Sequence, residues 1–500
     1  MVKKVGFDTD KYLSIQKKHI QERLKRFDKL YLEFGGKLSY DLHASRVLPG
    51  YRPTAKIELL QQLNNVEIIY CVSTKDIEKG RIRADFGLTY DNQTLKDIVD
   101  IRSFGLEVNS VVITFYQGQK NVEIFKRKLE NLGVKVYLHK PIAGYPLDIP
   151  KVLEGYLEQP YIETKNKIII VTGTGPNSGK MATCLTQIYQ ERKQKIKSAF
   201  AKFETFPIWN LELEHPINIA YEAATADLLD MVMIDPFHQK AYNITSVNYN
   251  RDIENFDILI SLMKEVTGEN KPFGYRSPTD MGVNMVASGI IDDEVCREAA
   301  KQEIIRRYFR YHKEKIEGIE TKTTLNRIIE IMKKVGLQEN DRAVVEPARQ
   351  AAIDAENKGK GNKGIFCGVA IELPNGKIIT GKNSSLLHAE SAAILNAIKV
   401  LAGVSDEVKL LPAFVIQDIN NLKTKILGEK TESLNVEETL IALSVSASTN
   451  EITKKCLNKL KNLRNCEIHT THILSAGDQN GLRKLGLNVT TDAKLTIKYF

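Results

Sequence analysis

Five short runs rich in β-branched and aromatic residues alternate with helix-patterned segments over the first third of the chain. They are "KLYLEF" (29–34), "VEIIYCV" (66–72), "SVVITFY" (110–116), "VKVYL" (134–138) and "KIIIV" (167–171). Strand and helix in alternation predict a Rossmann-like α/β domain, a mostly parallel sheet wrapped by helices on both faces. "SAFAKFE" (198–204) reads as a further strand, and Tyr12, Leu13, Ile15, Ile20, Leu24 and Phe27 recur at helical spacing among charges, giving an amphipathic first helix.

In such sheets ligands collect beyond the carboxyl ends of the strands, where loops and helix N-termini present free N–H groups. That rule selects two loops. After the first run comes "GGKLSYDLHASRVLPG", which offers Gly35, Gly36, Lys37 and Arg46 to an anion and His43 for acid/base work. After the fifth comes "VTGTGPNSGKMATC" (171–184), in the order strand, Gly-rich loop, helix. Gly173, Gly175 and Gly179 permit turns that aim several amides at one oxyanion, Ser178 adds a hydroxyl, and Lys180 adds a point charge beside a positive helix end.

The strict phosphate-loop pattern GxxxxGK[ST] fails at two positions. Thr174 stands at the first glycine, and Met181 replaces the hydroxyl that normally sits on Mg²⁺. The expected ligand is a small phosphorylated molecule, with ATP or another nucleotide as the candidate cofactor and the part played by Mg²⁺ left open. The same glycines spell GxGxxxG, a loose dinucleotide fingerprint with Glu204 as ribose partner, and a plain tight turn with Lys180 in water is the bland alternative.

Two downstream acids complete the catalytic candidates, His43, Glu222 and Asp235. Asp235 ends the apolar stretch "LLDMVMIDPFH", where an acid holding a Mg²⁺-bound water would stand, although many buried strands end in Asp for turn chemistry. Glu222 and Asp227 offer metal or ribose contacts, against the alternative of a solvated acidic face. Arg306, Arg307 and Arg310 on a later helix are a candidate phosphate clamp, against a charged outer face.

The first domain is expected over residues 1–250, and a helical region over 251–355, where "EVCREAAKQEIIRRYFRYHKEKI" and "TTLNRIIEIMKKVG" carry apolar residues every three or four positions. "ENKGKGNKG" (356–364) is the clear linker, and a third domain follows over 365–500. There "IFCGVAIEL" and "KIITG" flank "PNG", a hairpin signal, and His388 and Glu390 open the next helix. A hairpin followed by HxE at a helix start resembles the cytidine-deaminase-like fold, in which the His is a zinc ligand and the Glu moves protons. The PCxxC half of that signature is missing. In a strand, Cys466 and His472 of "CEIHTTHIL" face away from His469, so the expectation is this fold without zinc, and no metal ligands are assigned.

With 500 residues, 42% hydrophobic and 27% charged, the chain is globular and large enough for several domains. Its net charge of +9 is spread along the chain rather than gathered into a basic stripe, so no nucleic-acid partner is expected. Six scattered cysteines without a CxxC pair read as reduced thiols, and no apolar segment suits a signal peptide or membrane span. The expected setting is the cytoplasm without membrane attachment, with homo-oligomerisation as a base-rate expectation.

"YLEFGGKL", "HASRVLPG", "IEKGRIRADFGLTYD", "GPNSGKMATC", "YEAATADL", "SPTDMGVNMV" and "QEIIRRYF" together resemble a bacterial family of unassigned function, domain of unknown function 1846 (uncharacterised protein family 0371), over essentially the full length. Some members carry an ATP-dependent peptidase label, which the resemblance implies for this chain. The residues themselves contain no HExxH, no GxSxG elbow and no caspase-like cysteine signature. The preferred expectation is an enzyme that binds a nucleotide or other phosphorylated small molecule through the Gly-rich turn. The alternatives are a zinc-dependent deaminase-type hydrolase centred on His388 and Glu390, and a non-catalytic scaffold.

Overall fold

The computed structural model describes residues 4–80, 82–83 and 88–496, so part of "IEKGRIRADFGLTYD" lies outside the described residues. The chain divides into two compact units. One comprises Val5–Glu222 with Asp230–Ala300, and the other comprises Ala223–Leu229 with the chain from Lys301 onward. The helical stretch is thus shared between the units near residue 300.

The first unit is built on six strands: β1 (Lys29–Phe34), β2 (Val66–Ser73), β3 (Val108–Thr114), β4 (Lys135–Leu138), β5 (Ile168–Gly173) and β6 (Ser198–Phe203). Their order is β4-β3-β2-β5-β1-β6 and every pairing is parallel. The expected parallel sheet is present. β5 and β6 are buried along their whole length, as strands covered on both faces must be, and this is why they read as nearly continuous apolar runs. The outer edge of β6 is covered by a bridge from Lys202 to Gly282, with Val283 N donating to Lys202 O at 2.7 Å.

The chain runs outward from β1 through β2 and β3 to β4, then returns to insert β5 between β2 and β1. At that reversal the loops after neighbouring strands diverge and leave a crevice at the carboxyl edge. The first helix spans Thr9–Leu24, and its N-cap Asp8 accepts from Lys11 N at 3.0 Å. A small antiparallel ribbon, β7 (Val232–Ile234) with β8 (Val247–Tyr249), belongs to the same unit.

The second unit carries β9 (Gly368–Glu372), β10 (Ile378–Lys382), β11 (Glu467–Thr470) and β12 (Asn488–Thr491), ordered β10-β9-β11-β12. β9 is antiparallel to both neighbours, and β11 and β12 are parallel. The PNG turn forms the expected hairpin, with Gly376 at φ +83°. Val369 and Ile371 pack with the helix Ala389–Ala402, whereas Ala370 packs with Ala348 of the helix Val345–Asn357. Gly381 and Gly368 allow this approach, since a Cβ would lie 2.3 Å from Ala393 N and 2.2 Å from Ala348 O respectively.

Arg342 is fully buried against the end of this sheet, donating to Glu467 at 2.6 Å and to Asn488 O at 2.9 Å, while Arg306 bonds both Glu467 oxygens at 3.1 Å. Burial opposes the charge on Glu467, but the two guanidiniums outweigh it and bring its carboxyl down to about 2. Arg306 and Arg307 also bond Glu303, and Arg310 bonds Glu314. The three arginines considered as a phosphate clamp all bond acids of their own unit.

Candidate functional site

The glycine turn follows β5 and leads into the helix Lys180–Lys193. Gly179 caps this helix at φ +87°, where a side chain is strained, and a Cβ there would lie 2.6 Å from Thr114 Cγ2. Gly173 is required sterically: a Cβ would lie 2.3 Å from Cys71 O and 2.6 Å from Ser178 Oγ. Thr114 Oγ1 donates to Ser178 O at 3.0 Å and ties the turn to β3.

Thr174 N is committed, donating to Cys71 O at 3.3 Å. Among the described residues no hydrogen bond engages the amides of Gly175, Asn177, Ser178, Gly179 or Lys180. The Lys180 ammonium folds back over the turn, donating to Gly175 O at 3.0 Å and approaching Ser178 Oγ at 3.4 Å. Of the hydroxyls that stand near the missing serine or threonine, Thr183 Oγ1 donates to Gly179 O at 3.0 Å, and Ser178 is fully buried. Burial pushes the Cys71 thiol up to about 12 and raises Cys184 well above its ordinary value, so neither is a thiolate near neutral pH.

The loop after β1 meets this turn. Lys37, Ser39 and Tyr40 line one cleft with Tyr70, Thr172 and Gly173. Lys56 holds the loop in place, pairing with buried Asp41 at 2.9 Å and donating to Gly35 O at 3.0 Å. Burial disfavours the Asp41 carboxylate, but Lys56 and the amide of Ala44 hold its carboxyl below the usual range. Gly36 takes φ +67°. His43 and Arg46 lie on the short helix Leu42–Val47, and the His43 ring packs edge-on against Phe206 at 5.1 Å. Neither residue lines the cleft that brings Lys37 to Gly173.

Glu222 and Asp235 are engaged with the main chain. Glu222 Oε1 accepts from Val232 N at 2.9 Å and anchors β7. Asp235 is fully buried as the N-cap of the helix Pro236–Tyr242, accepting from His238 N at 3.0 Å and from Thr279 Oγ1 at 2.7 Å. Its role in the fold is a cap that also pins a second loop.

A cluster of which the sequence singled out only Glu204, as a ribose partner, sits where β1 and β6 end. Lys202 pairs with Asp252 at 2.6 Å, Tyr249 donates a short hydrogen bond to Glu204, and Glu204 Cγ lies 3.0 Å from where a Gly35 Cβ would stand. Burial pushes the Glu204 carboxyl up to about 7; Lys202 opposes this and Asp252 adds to it. A lysine inside a strand buried along its whole length was the available signal, because a buried ammonium requires an acid partner.

In the second unit His388 caps the helix Ala389–Ala402, with Glu390 in the first turn. Asp478, 90 positions later, accepts from His388 Nδ1 at 2.7 Å and from Val436 N at 2.9 Å. Burial disfavours a charged ring, yet the bond to Asp478 and that group's charge lift His388 above its ordinary value. His388, His472, Ser475 and Asp478 line one cleft together with Cys367. Cys456 and Cys466 lie in the apolar core and add no ligand to this group.

Comparison with known proteins supplies the relationship. A family model described as "Domain of unknown function DUF1846, N-terminal" matches residues 5–336, and its C-terminal counterpart matches residues 340–500. A UPF0371 protein of Clostridium tetani (strain Massachusetts / E88) is 52% identical over 492 residues, 98% of this chain and 97% of that protein. UPF0371 proteins of Clostridium botulinum strains Langeland and Alaska E43 are each 51% identical over 493 residues, again 98% and 97% of the two chains. With both halves matched and full-length relatives at this identity, the chain belongs to the bacterial DUF1846 (UPF0371) family.

Proposed function

We propose that the first unit is an enzyme domain that binds a nucleotide or another phosphorylated small molecule at the turn between β5 and its helix. The observation that carries this reading is the state of the turn. The amides of Gly175 and of Asn177 to Lys180 are uncommitted among the described residues, and the Lys180 ammonium lies inward, over the loop. A tight turn with no ligand role would close such amides on its own carbonyls or leave the lysine in water. Here they stand beside the positive end of a 14-residue helix, an arrangement that favours phosphate oxygens.

Gly173, Gly175, Ser178, Gly179 and Lys180 form the cradle, and Lys37 brings a second cation from the loop after β1. With Met181 in place of a hydroxyl, phosphate binding here draws on amides and lysine and does not need a metal at that position. Glu204, with a carboxyl near neutral titration and a tyrosine hydroxyl bonded to it, is the group best suited to move a proton.

The test is thermal stabilisation by ATP, GTP, NAD and sugar phosphates, with and without Mg²⁺, in the wild type and in Lys180→Ala. At least one of these ligands is expected to raise the wild-type midpoint and to have a smaller effect on the variant. Identical shifts in the two proteins would remove the turn from consideration.

A further inference from the structure

The cluster in the second unit plays no part in the phosphate reading and stands on separate observations. His388, Glu390 and Asp478 present donor atoms that all lie within 4.8 Å of one another. Glu390 is fully buried. Its Oε1 accepts from Thr470 Oγ1 at 2.7 Å, while Oε2 is buried and has no hydrogen-bond partner. An ionised oxygen left bare inside a protein is destabilising unless a cation or donor meets it. Neither Glu390 nor Asp478 is bonded by a lysine or arginine among the described residues.

We propose that this cluster is a binding site for one divalent transition-metal ion, with His388 and Glu390 as ligands and Asp478 orienting the His388 ring. Asp478 accepts a hydrogen bond from His388 Nδ1–H, which fixes the tautomer and makes Nε2 the lone-pair nitrogen; metal-bound histidines are commonly held this way. Asp478 is itself fixed by Val436 N at 2.9 Å and by Ser475 Oγ at 2.6 Å, so the ring has one orientation. His472 supplies the third ligand. As it stands His472 lies outside the group of mutually close donors, with its Nε2 3.4 Å from Glu390 Oε1 in the same cleft, and it becomes a ligand by turning towards the ion. Two imidazoles and one carboxylate suit Zn²⁺, Co²⁺, Mn²⁺ or Fe²⁺, and one coordination position remains for water in the cleft.

The experiment uses the full chain, freed of metal by chelation and titrated with Co²⁺ alone. One Co²⁺ per chain is expected, with the intense visible bands of a low-coordinate, nitrogen-ligated ion and a raised thermal midpoint. Affinity is expected to fall at least tenfold in Glu390→Gln and in His388→Ala, and roughly 10–100-fold in Asp478→Asn, the range seen for outer-shell partners. Absence of stoichiometric Co²⁺ in the wild type, or equal affinity in the wild type and Glu390→Gln, would overturn the proposal. Should Glu390→Gln fail to fold, the wild-type spectrum decides. Intense bands support the site, and the faint bands of a six-coordinate aqueous ion contradict it.

Discussion

In the first unit the turn after β5 gathers main-chain amides and Lys180; in the second unit buried ionisable side chains gather at the starts of helices. The glycine turn offers positive potential from uncommitted N–H groups, which suits an anion. The cluster of His388, Glu390 and Asp478 offers lone pairs, which suit a cation. Both proposed sites lie at a helix N-terminus, and on this reading the residue placed there selects the sign of the ligand. Gly179 exposes the helix amides, whereas the helix Ala389–Ala402 carries a carboxylate, Glu390, in its first turn.

The comparison breaks most severely where buried charge supports the second site. Glu467→Gln is expected to destabilise the protein by about 3 kcal/mol at pH 7, because it leaves Arg342 and Arg306 buried without their acid, and β11, which ends at Thr470, loses its anchor. The carboxyl is depressed in the folded state. Its contribution is therefore fully present above the unfolded value of about 4.3 and fades as pH falls towards about 2. Urea unfolding of the two proteins at pH 7 and pH 3 should show the gap narrowing.

On the other side of the comparison, Gly173→Ala should destabilise by roughly 2 kcal/mol, since the new methyl meets a β2 carbonyl and the Ser178 hydroxyl below contact distance. It should also remove ligand-induced stabilisation, and a tolerated substitution would show that the turn is looser than described. Lys180→Ala is expected to weaken phosphate-ligand binding about 10–100-fold, the value of one charge-assisted hydrogen bond, with little change in unfolding midpoint. Titration calorimetry measures this directly.

An effect confined to the upper pH range is expected at Glu204. A carboxyl raised to about 7 keeps its proton in the folded state after the unfolded chain has lost it, so wild-type stability is drawn down as pH rises from about 4.3 through 7. Glu204→Gln should match the wild type near pH 4 and become the more stable of the two as pH rises through about 7. A pH-independent difference would mean that Glu204 is not the group titrating there.

The sequence was most legible where the backbone sets the residue. β1 coincides with "KLYLEF", and β5 with "KIIIV" to within two residues, because strands covered on both faces concentrate apolar and β-branched residues into short runs. Gly173 and Gly179 were readable because no side chain fits their positions. What stayed hidden is made by contacts between distant segments. Lys202 meets Asp252 across 50 positions, His388 meets Asp478 across 90, and Arg342 meets Glu467 across 125. Nothing local to "SAFAKFE" or "SAGDQN" announces these partners. Asp235 and Glu222 show the converse. Acids in suggestive places, Asp235 after a strand and Glu222 inside a helix, accept from main-chain N–H groups, and from sequence alone they cannot be told from acids waiting for a metal.

The central claim is that phosphate sits on the amides after β5. The most direct measurement is a crystal structure of the protein grown with whichever phosphorylated ligand stabilises it most. The account predicts phosphate oxygens within hydrogen-bonding distance of the amides between Gly175 and Lys180, with the Lys180 ammonium moved from Gly175 O onto the ligand. A ligand bound elsewhere, with Lys180 still on Gly175 O, would contradict it.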